Sequence, residues 1–340
     1  MGSSVSGTAY NKLLRTVASV LLKEAGYSPR HLQHISSTEM RDAVRQLLVI
    51  RPCPENSVNN KQEEELYSQV DSLLNLELKQ HKTIVDAQQL PTVLPHSSKD
   101  TRGFEQIALW KGDITTLKTT AIVNAANSAL LGCFQPTHKC IDNVIHCMAG
   151  PRLRAACHDI MSRQAHEEST GNAQITPGFA LPAQYVLHTV GPQLRRGSKP
   201  SDAERDQLQS CYTKSLDLLL ETVSSKQEEN VSVAFPCIST GLFAFPSDEA
   251  VPIAVDSVLE WLATHDDETR GWKVVFNTFL KKDYDLYKTY IEDRCPDSVV
   301  LPSAPISPAL QRALEAVQGA DYLLVSAGTG LSIAAGLDFG

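Results

Sequence analysis

From about Phe104 onward the chain alternates short apolar runs with longer amphipathic stretches, and this alternation constrains the fold more than any other feature. Residues 107–110, 121–123, 185–188, 231–235 and 274–276 are short, apolar and rich in β-branched and aromatic side chains, so they read as strands. Residues 141–164, 201–225, 247–264 and 283–294 repeat their apolar positions at helical spacing. Strands alternating with helices of this length imply a layered α/β fold with a mostly parallel central sheet. In such sheets ligands sit at the carboxyl ends of the strands, which directs attention to the loops that follow them.

Upstream, three amphipathic stripes predict three helices. Leu13, Leu14, Val17, Val20, Leu21 and Leu22 form the first; Met40, Val44, Leu47 and Leu48 the second; Tyr67, Val70, Leu73, Leu74 and Leu76 the third. Gly26-Tyr27-Ser28-Pro29 and Arg51-Pro52-Cys53-Pro54 stop them. The expected organisation is a helical extension and linker over 1–100, an α/β domain over 101–295 and a further linker and segment over 296–340. Packing against the domain is the expected role of the extension, in preference to an independent partner-binding module.

Charge narrows the function. The 340 residues carry a net charge of -8, and since residues 1–100 hold 11 basic and 11 acidic side chains, all of the excess lies in 101–340. This argues against nucleic acid as a partner, and any phosphate must be held locally by backbone amides and helix ends. Eight cysteines without a secretory leader point to a reduced, intracellular compartment, with cytoplasm and mitochondrion left open. Gly2 fits a loose myristoylation pattern, although a plain small-residue terminus is favoured; the acid-free first 23 residues faintly resemble a transit peptide. Residues 320–337 are interrupted by Asp321 and glycines, too broken for a membrane span. A monomer is expected.

Three loops follow strands. Gly112-Asp113-Ile114-Thr115 offers a carboxylate that can accept from an exocyclic amine, or simply cap the next turn. Asn124-Ala125-Ala126-Asn127-Ser128 combines small residues with two amides able to bond hydroxyls, or is an ordinary turn. Ser239-Thr240-Gly241-Leu242-Phe243 follows a strand and opens a helix, as a phosphate-cradling loop should, with Phe243 and Phe245 read first as core. Between the last two loops, Cys133, His138 and Cys140 present C-x4-H-x-C, a soft donor set suited to one zinc ion with an open fourth position; the alternative is two buried thiols and a surface histidine. Asp142 follows, placed as a general base, an orienter or a cap, with His146 one turn later and able to bond a backbone carbonyl. Cys147 and Cys157 read as packing.

In this order, the loops, together with DNVIHCMAG (142–150), LPAQYVLHTVGP (181–192) and PCISTGLFAFP (236–246), resemble a macrodomain over about 104–293. The resemblance implies a three-layer α/β/α fold with a mixed, mostly parallel sheet. Most macrodomains carry a glycine triplet and a valine before the aspartate; here Cys133, His138 and Cys140 fill that segment, which resembles the zinc-containing, sirtuin-linked subclass with its helical extension. Residues 322–336 are similar to the first dinucleotide-binding element of a sirtuin; without partner strands or a catalytic histidine, no deacylase or transferase activity is expected from them.

The resemblance further implies ADP-ribose as ligand and a hydrolase that frees it from mono-ADP-ribosylated proteins, with a lipoyl-carrier protein as one substrate to consider. Asp113 and Ile114 would hold the adenine end, Phe279 would flank it, and Ser239, Thr240, Gly241, Leu242 and Phe243 would embrace the diphosphate. Asn127 would contact the distal ribose, beside zinc on Cys133, His138 and Cys140, with Asn127 and Asp142 as catalytic residues. The competing readings are a non-catalytic ADP-ribose reader and an O-acetyl-ADP-ribose deacetylase.

Overall fold

A computed structural model describes residues 3–53, 61–81, 84–93, 103–226 and 230–295. Gly2 and the segment 322–336, expected above to resemble a dinucleotide-binding element, lie outside them. The chain opens with α1 (Ser3–Glu24), α2 (Ser37–Ile50) and α3 (Lys61–His81), as the three stripes predict. α2 starts at a capping box in which Ser36 and Glu39 satisfy each other's backbone amides. Then come β1 (Val85–Asp86), β2 (Ile107–Lys111), β3 (Leu117–Lys118), β4 (Ala121–Ala126), α4 (Ile141–Ala149), α5 (Pro151–Gln164) and β5 (Ala173–Pro177). The chain continues through β6 (Tyr185–Val190), α6 (Asp202–Ser224), β7 (Ser232–Phe235), α7 (Ser247–Thr264), β8 (Lys273–Thr278) and α8 (Lys281–Arg294).

Six strands form one sheet in the order β2-β8-β7-β4-β6-β5, parallel throughout except for β5, which pairs antiparallel with β6; β1 and β3 form a separate two-stranded pair. Side-chain alternation along each strand feeds two cores. Ile107, Leu109, Val123, Val233, Phe235, Val274 and Phe276 face α6, α7 and α8. Ala108, Trp110, Ile122, Val186, Ala234 and Val275 join the opposite core with Ile145, Met148 and Leu153 of α4 and α5. Leu14, Val17, Val70, Leu73 and Leu74 of the helical extension are fully buried in that second core, each contributing about 1.5–3 kcal/mol of apolar burial. The extension therefore packs on the domain, tied further by Arg152 of α5 to Glu64 (2.6 Å) and Asp71 (2.8 Å) of α3.

Two features depart from expectation. The single helix over 141–164 is two, because Gly150 takes a left-handed φ of 84° and Pro151 starts the next helix at its first position. Residues 173–177 form an unforeseen edge strand: Ala-Gln-Ile-Thr-Pro has no apolar run, since an edge strand need bury little and its proline ends the ladder. No helix among the described residues is long and apolar enough to cross a membrane.

Candidate functional site

The five parallel strands deliver their carboxyl ends to one edge of the sheet, and every loop singled out by sequence lies there. The ends of β2 and β8 are stitched together: Gly112 N donates to Thr278 O (2.9 Å), and Asn277 Nδ2 donates to Gly112 O (3.0 Å). This brings Asp113 and Phe279 to neighbouring strand ends. Asp113 caps a short turn, accepting from Thr115 N (3.0 Å) and Thr115 Oγ1 (2.6 Å), with Ile114 buried beneath. The capping reading thus holds in this structure, and it also fixes the carboxylate at the rim. Phe279 is 75% exposed, a large apolar ring left at the surface.

After β7 the chain makes a tight loop. Ser239 and Ala244, neither a glycine, adopt left-handed φ values of 62° and 57°, a strained backbone of the kind that clusters at ligand sites. Phe245 N donates to Ser239 O (3.0 Å) and Thr240 Oγ1 donates to Cys237 O (3.0 Å), which pin the two sides. Phe245 belongs to the core as expected, whereas Phe243 is half-buried and Leu242 is exposed. The Ser239 hydroxyl is buried without a hydrogen-bond partner, and among the described residues the amides of Gly241, Leu242 and Phe243 donate no hydrogen bond within the protein. Three consecutive amides in such a loop form an anion-binding concavity. The loop presses on the end of β6: a Cβ on Gly191 would lie 2.0 Å from Ser239 Oγ, so only glycine fits there.

The loop after β4 carries the soft donors. Cys133 Sγ and His138 Nδ1 stand 3.3 Å apart, close to the separation of about 3.5 Å expected for two ligands of a tetrahedral zinc. Cys140, at the N-cap of α4, faces Cys133, and burial first and the Cys133 thiol second push its own thiol up to about 12. A cation would reverse that trend, because metal ligation needs thiolates. All three are half-buried or exposed, so the donor chemistry and access fit a zinc ion, although the three donor atoms do not all lie within 4.8 Å of one another.

Asn127 spends both ends of its amide on this loop, accepting from Ala129 N (3.1 Å) and donating to Gly132 O (3.0 Å). Asp142 is buried and faces inward: it accepts from Asn124 Nδ2 (2.8 Å) and lies 3.5 Å from His146 Nε2. Burial raises its carboxyl to about 6, opposed by the Asn124 bond. Among the described residues His146 bonds no backbone carbonyl, and both its ring nitrogens lack a hydrogen-bond partner.

Sequence reading missed the network below the loop. Asn124 Nδ2 also meets His188 Nδ1 (3.2 Å), and His188 Nε2 meets Thr176 Oγ1 (2.9 Å) and lies 3.6 Å from Cys157 Sγ. His146, Cys157 and His188 thereby bring three donor atoms within 4.8 Å of one another, all buried. As a metal centre this set fits less well than the loop above, since His188 already has a protein partner at each nitrogen. Asn124 was visible in its motif, but these partners lie up to 64 residues away, and no local spacing marks them.

A macro domain family model matches residues 123–254. A Fusarium oxysporum f. sp. cubense protein named "Probable bifunctional ADP-ribose hydrolase/ADP-ribosyltransferase" is 43% identical over 317 residues, covering 91% of this chain and 51% of that protein. The "Protein-ADP-ribose hydrolase" of Treponema medium is 49% identical over 186 residues, 55% of this chain and 67% of that protein. Among solved structures, the Trypanosoma brucei macrodomain in complex with ADP-ribose superposes with a TM-score of 0.51 at 28% identity, over 72% of this chain and 94% of that one. Sheet order, loop placement and these likenesses agree: the chain belongs to the macro domain family. It spans about half the length of the Fusarium relative.

Proposed function

We propose that this chain hydrolyses the bond between ADP-ribose and modified proteins, with one zinc ion held by Cys133, His138 and Cys140. The observation that carries the reading is the row of unpaired amides at Gly241, Leu242 and Phe243 beside the strained Ser239, a diphosphate cradle opening on the same sheet edge as the Cys133–His138 pair. The names of the Treponema and Fusarium relatives support ADP-ribose hydrolysis as the activity.

In this reading Asp113 accepts the adenine amine while Ile114 backs it, and Phe279 covers the ring's face. The Gly241, Leu242 and Phe243 amides neutralise the diphosphate without a net positive protein charge. A zinc ion on the three soft ligands would supply Lewis acidity toward a ribose or ester oxygen. Asn127 shapes the loop next to the distal ribose. Asp142, spent on Asn124 and close to His146, acts from below: with a carboxyl near 6 it holds or yields a proton around neutrality and orients the floor through Asn124. The substrate is proposed to be mono-ADP-ribosylated protein.

The test presents mono-ADP-ribosylated protein with acidic-residue linkages to the pure chain, with and without a strong chelator, and follows free ADP-ribose. Release that the chelator abolishes and zinc restores supports the reading. Tight ADP-ribose binding with no release would replace it with a reader.

A further inference from the structure

Arg154 of α5 is buried, yet among the described residues it makes no ion pair; its guanidinium is spent on main-chain carbonyls of two distant segments. Nη1 donates to Leu48 O (3.0 Å) and to Arg51 O, and Nη2 donates to Val49 O (3.1 Å). These carbonyls end α2, where the last turn lacks intrahelical donors and the helix dipole is negative, so a buried cation is well placed. Nε meanwhile donates to Leu131 O (2.8 Å), two residues before Cys133, and the guanidinium stacks 4.6 Å from the centre of the Phe134 ring. A single planar fork thus joins the end of α2 to both sides of Cys133. Lysine could not reproduce it, having one nitrogen and no plane.

We propose that Arg154 is a positioning residue through which the helical extension sets the loop carrying Cys133. It acts through the loop: it bonds the Leu131 carbonyl on one side of the first cysteine and packs on the Phe134 ring on the other, and so sets the direction of the thiol. The consequence for metal holding rests on the zinc reading above, whereas the consequence for the loop does not. Partners behind a ligand typically change metal affinity by about 10–100-fold when removed.

The experiment uses the full 340-residue chain with Arg154→Lys and, as a variant on an exposed ring that leaves the core intact, Phe134→Ala. Amide hydrogen exchange is read across 129–134 in metal-free protein, and Co2+, whose absorption bands report thiolate ligation, is titrated against a chelator. Arg154→Lys should speed exchange of the loop about tenfold or more while β4 and β7 are unchanged. It should also weaken Co2+ about tenfold and alter its band intensities; Phe134→Ala should act in the same direction but less. In turnover, kcat should fall with little change in KM. A lower melting temperature with unchanged loop exchange and unchanged Co2+ bands would overturn the proposal, leaving Arg154 a helix clamp only. If Arg154→Lys fails to fold, unchanged loop exchange in Phe134→Ala overturns it. Absent hydrolysis in the parent chain would count against the proposed function, and loop exchange would still decide this inference.

Discussion

Gly191 is the sharpest place to perturb the Ser239–Phe243 loop without touching it. A Cβ there would sit 2.0 Å from Ser239 Oγ, 2.9 Å from Ile238 Cγ2 and 3.3 Å from Ser239 Cβ. Ordinary contact begins near 3.4 Å, so the Ser239 side must retreat by roughly 1.4 Å. Ser239 is buried, and its left-handed backbone is held by the bond from Phe245, so the loop moves as a piece or the core strains. Overpacking of this kind costs about 1–3 kcal/mol, a fall of roughly 4–8 °C in Tm for a 2 kcal/mol loss. A loop misplaced by about 1 Å should weaken ADP-ribose about 10–100-fold. Melting by circular dichroism and ADP-ribose titration by calorimetry measure both. The paired variant Ser239→Ala deletes the clashing oxygen, which makes no hydrogen bond, and should be near neutral alone. Gly191→Ala with Ser239→Ala should recover at least half of the lost stability, an interaction energy of about 1–2 kcal/mol. For the melting measurement Gly241→Ala is the control, since nothing described lies within 4 Å of a Cβ at that position. A double variant as unstable as Gly191→Ala, or a Gly241→Ala equally harmed, would refute the steric argument.

Phe279→Ala should leave Tm unchanged, because the ring is 75% exposed, and should raise the Kd for ADP-ribose about 3–10-fold if the ring stacks on adenine; an unchanged Kd removes it from the pocket. Cys140→Ser should lower the zinc retained per chain, measured by elemental analysis, whereas Cys157→Ser should not; the opposite pattern would place the metal in the buried His146–Cys157–His188 set. Burial drives His188 from its usual 6.5 down to about 3, so the unfolded chain takes up the proton first and stability falls as pH drops below 6.5. At pH 5 that loss is about 2 kcal/mol relative to pH 7.5, and a His188→Gln variant should lose less on acidification; equal urea midpoint shifts in both proteins would show that another group carries it.

What could be read from sequence was what repeats locally. The stripes at Leu13, Met40 and Tyr67 became α1, α2 and α3, and the five parallel strands stand where apolar runs predict them. The loops at Asp113, Asn127 and Ser239 could be found because small and polar residues interrupt those runs at strand ends. The closeness of Cys133 and His138 was legible in their spacing, since donors five residues apart in one loop are a local matter. What spacing could not show is what each side chain spends its bonds on. Asn127 turned out to fasten its own loop, Asp142 to face Asn124, and Arg154 to serve two segments from a helix whose sequence, Arg152-Leu153-Arg154, does not distinguish a surface cation from a buried one. The edge strand β5 escaped for a related reason: its place is set by pairing with β6, not by its own pattern.

The helical extension follows from the dimensions of the sheet. Six strands about 4.8 Å apart span roughly 24 Å, whereas α4, with nine residues at about 1.5 Å each, is near 13 Å long. On the other face α6 and α7, of 23 and 18 residues, are long enough to cover the strands with α8. On the face bearing Ala108, Trp110, Ile122 and Val275, α4 and α5 share the core with Leu14, Val17, Leu73 and Leu74 of the extension. α4 begins after Cys140, with Asp142 in its first turn, and ends at Gly150, whose left-handed φ turns the chain into α5. The same geometry that brings the Cys133–Cys140 loop to the sheet edge thus leaves an apolar face for α1–α3 to fill, and filling it sets the end of α2 beside Arg154. Stability of the core and order of the loop are therefore coupled through one interface, so a shortened chain lacking residues 1–100 should lose both together.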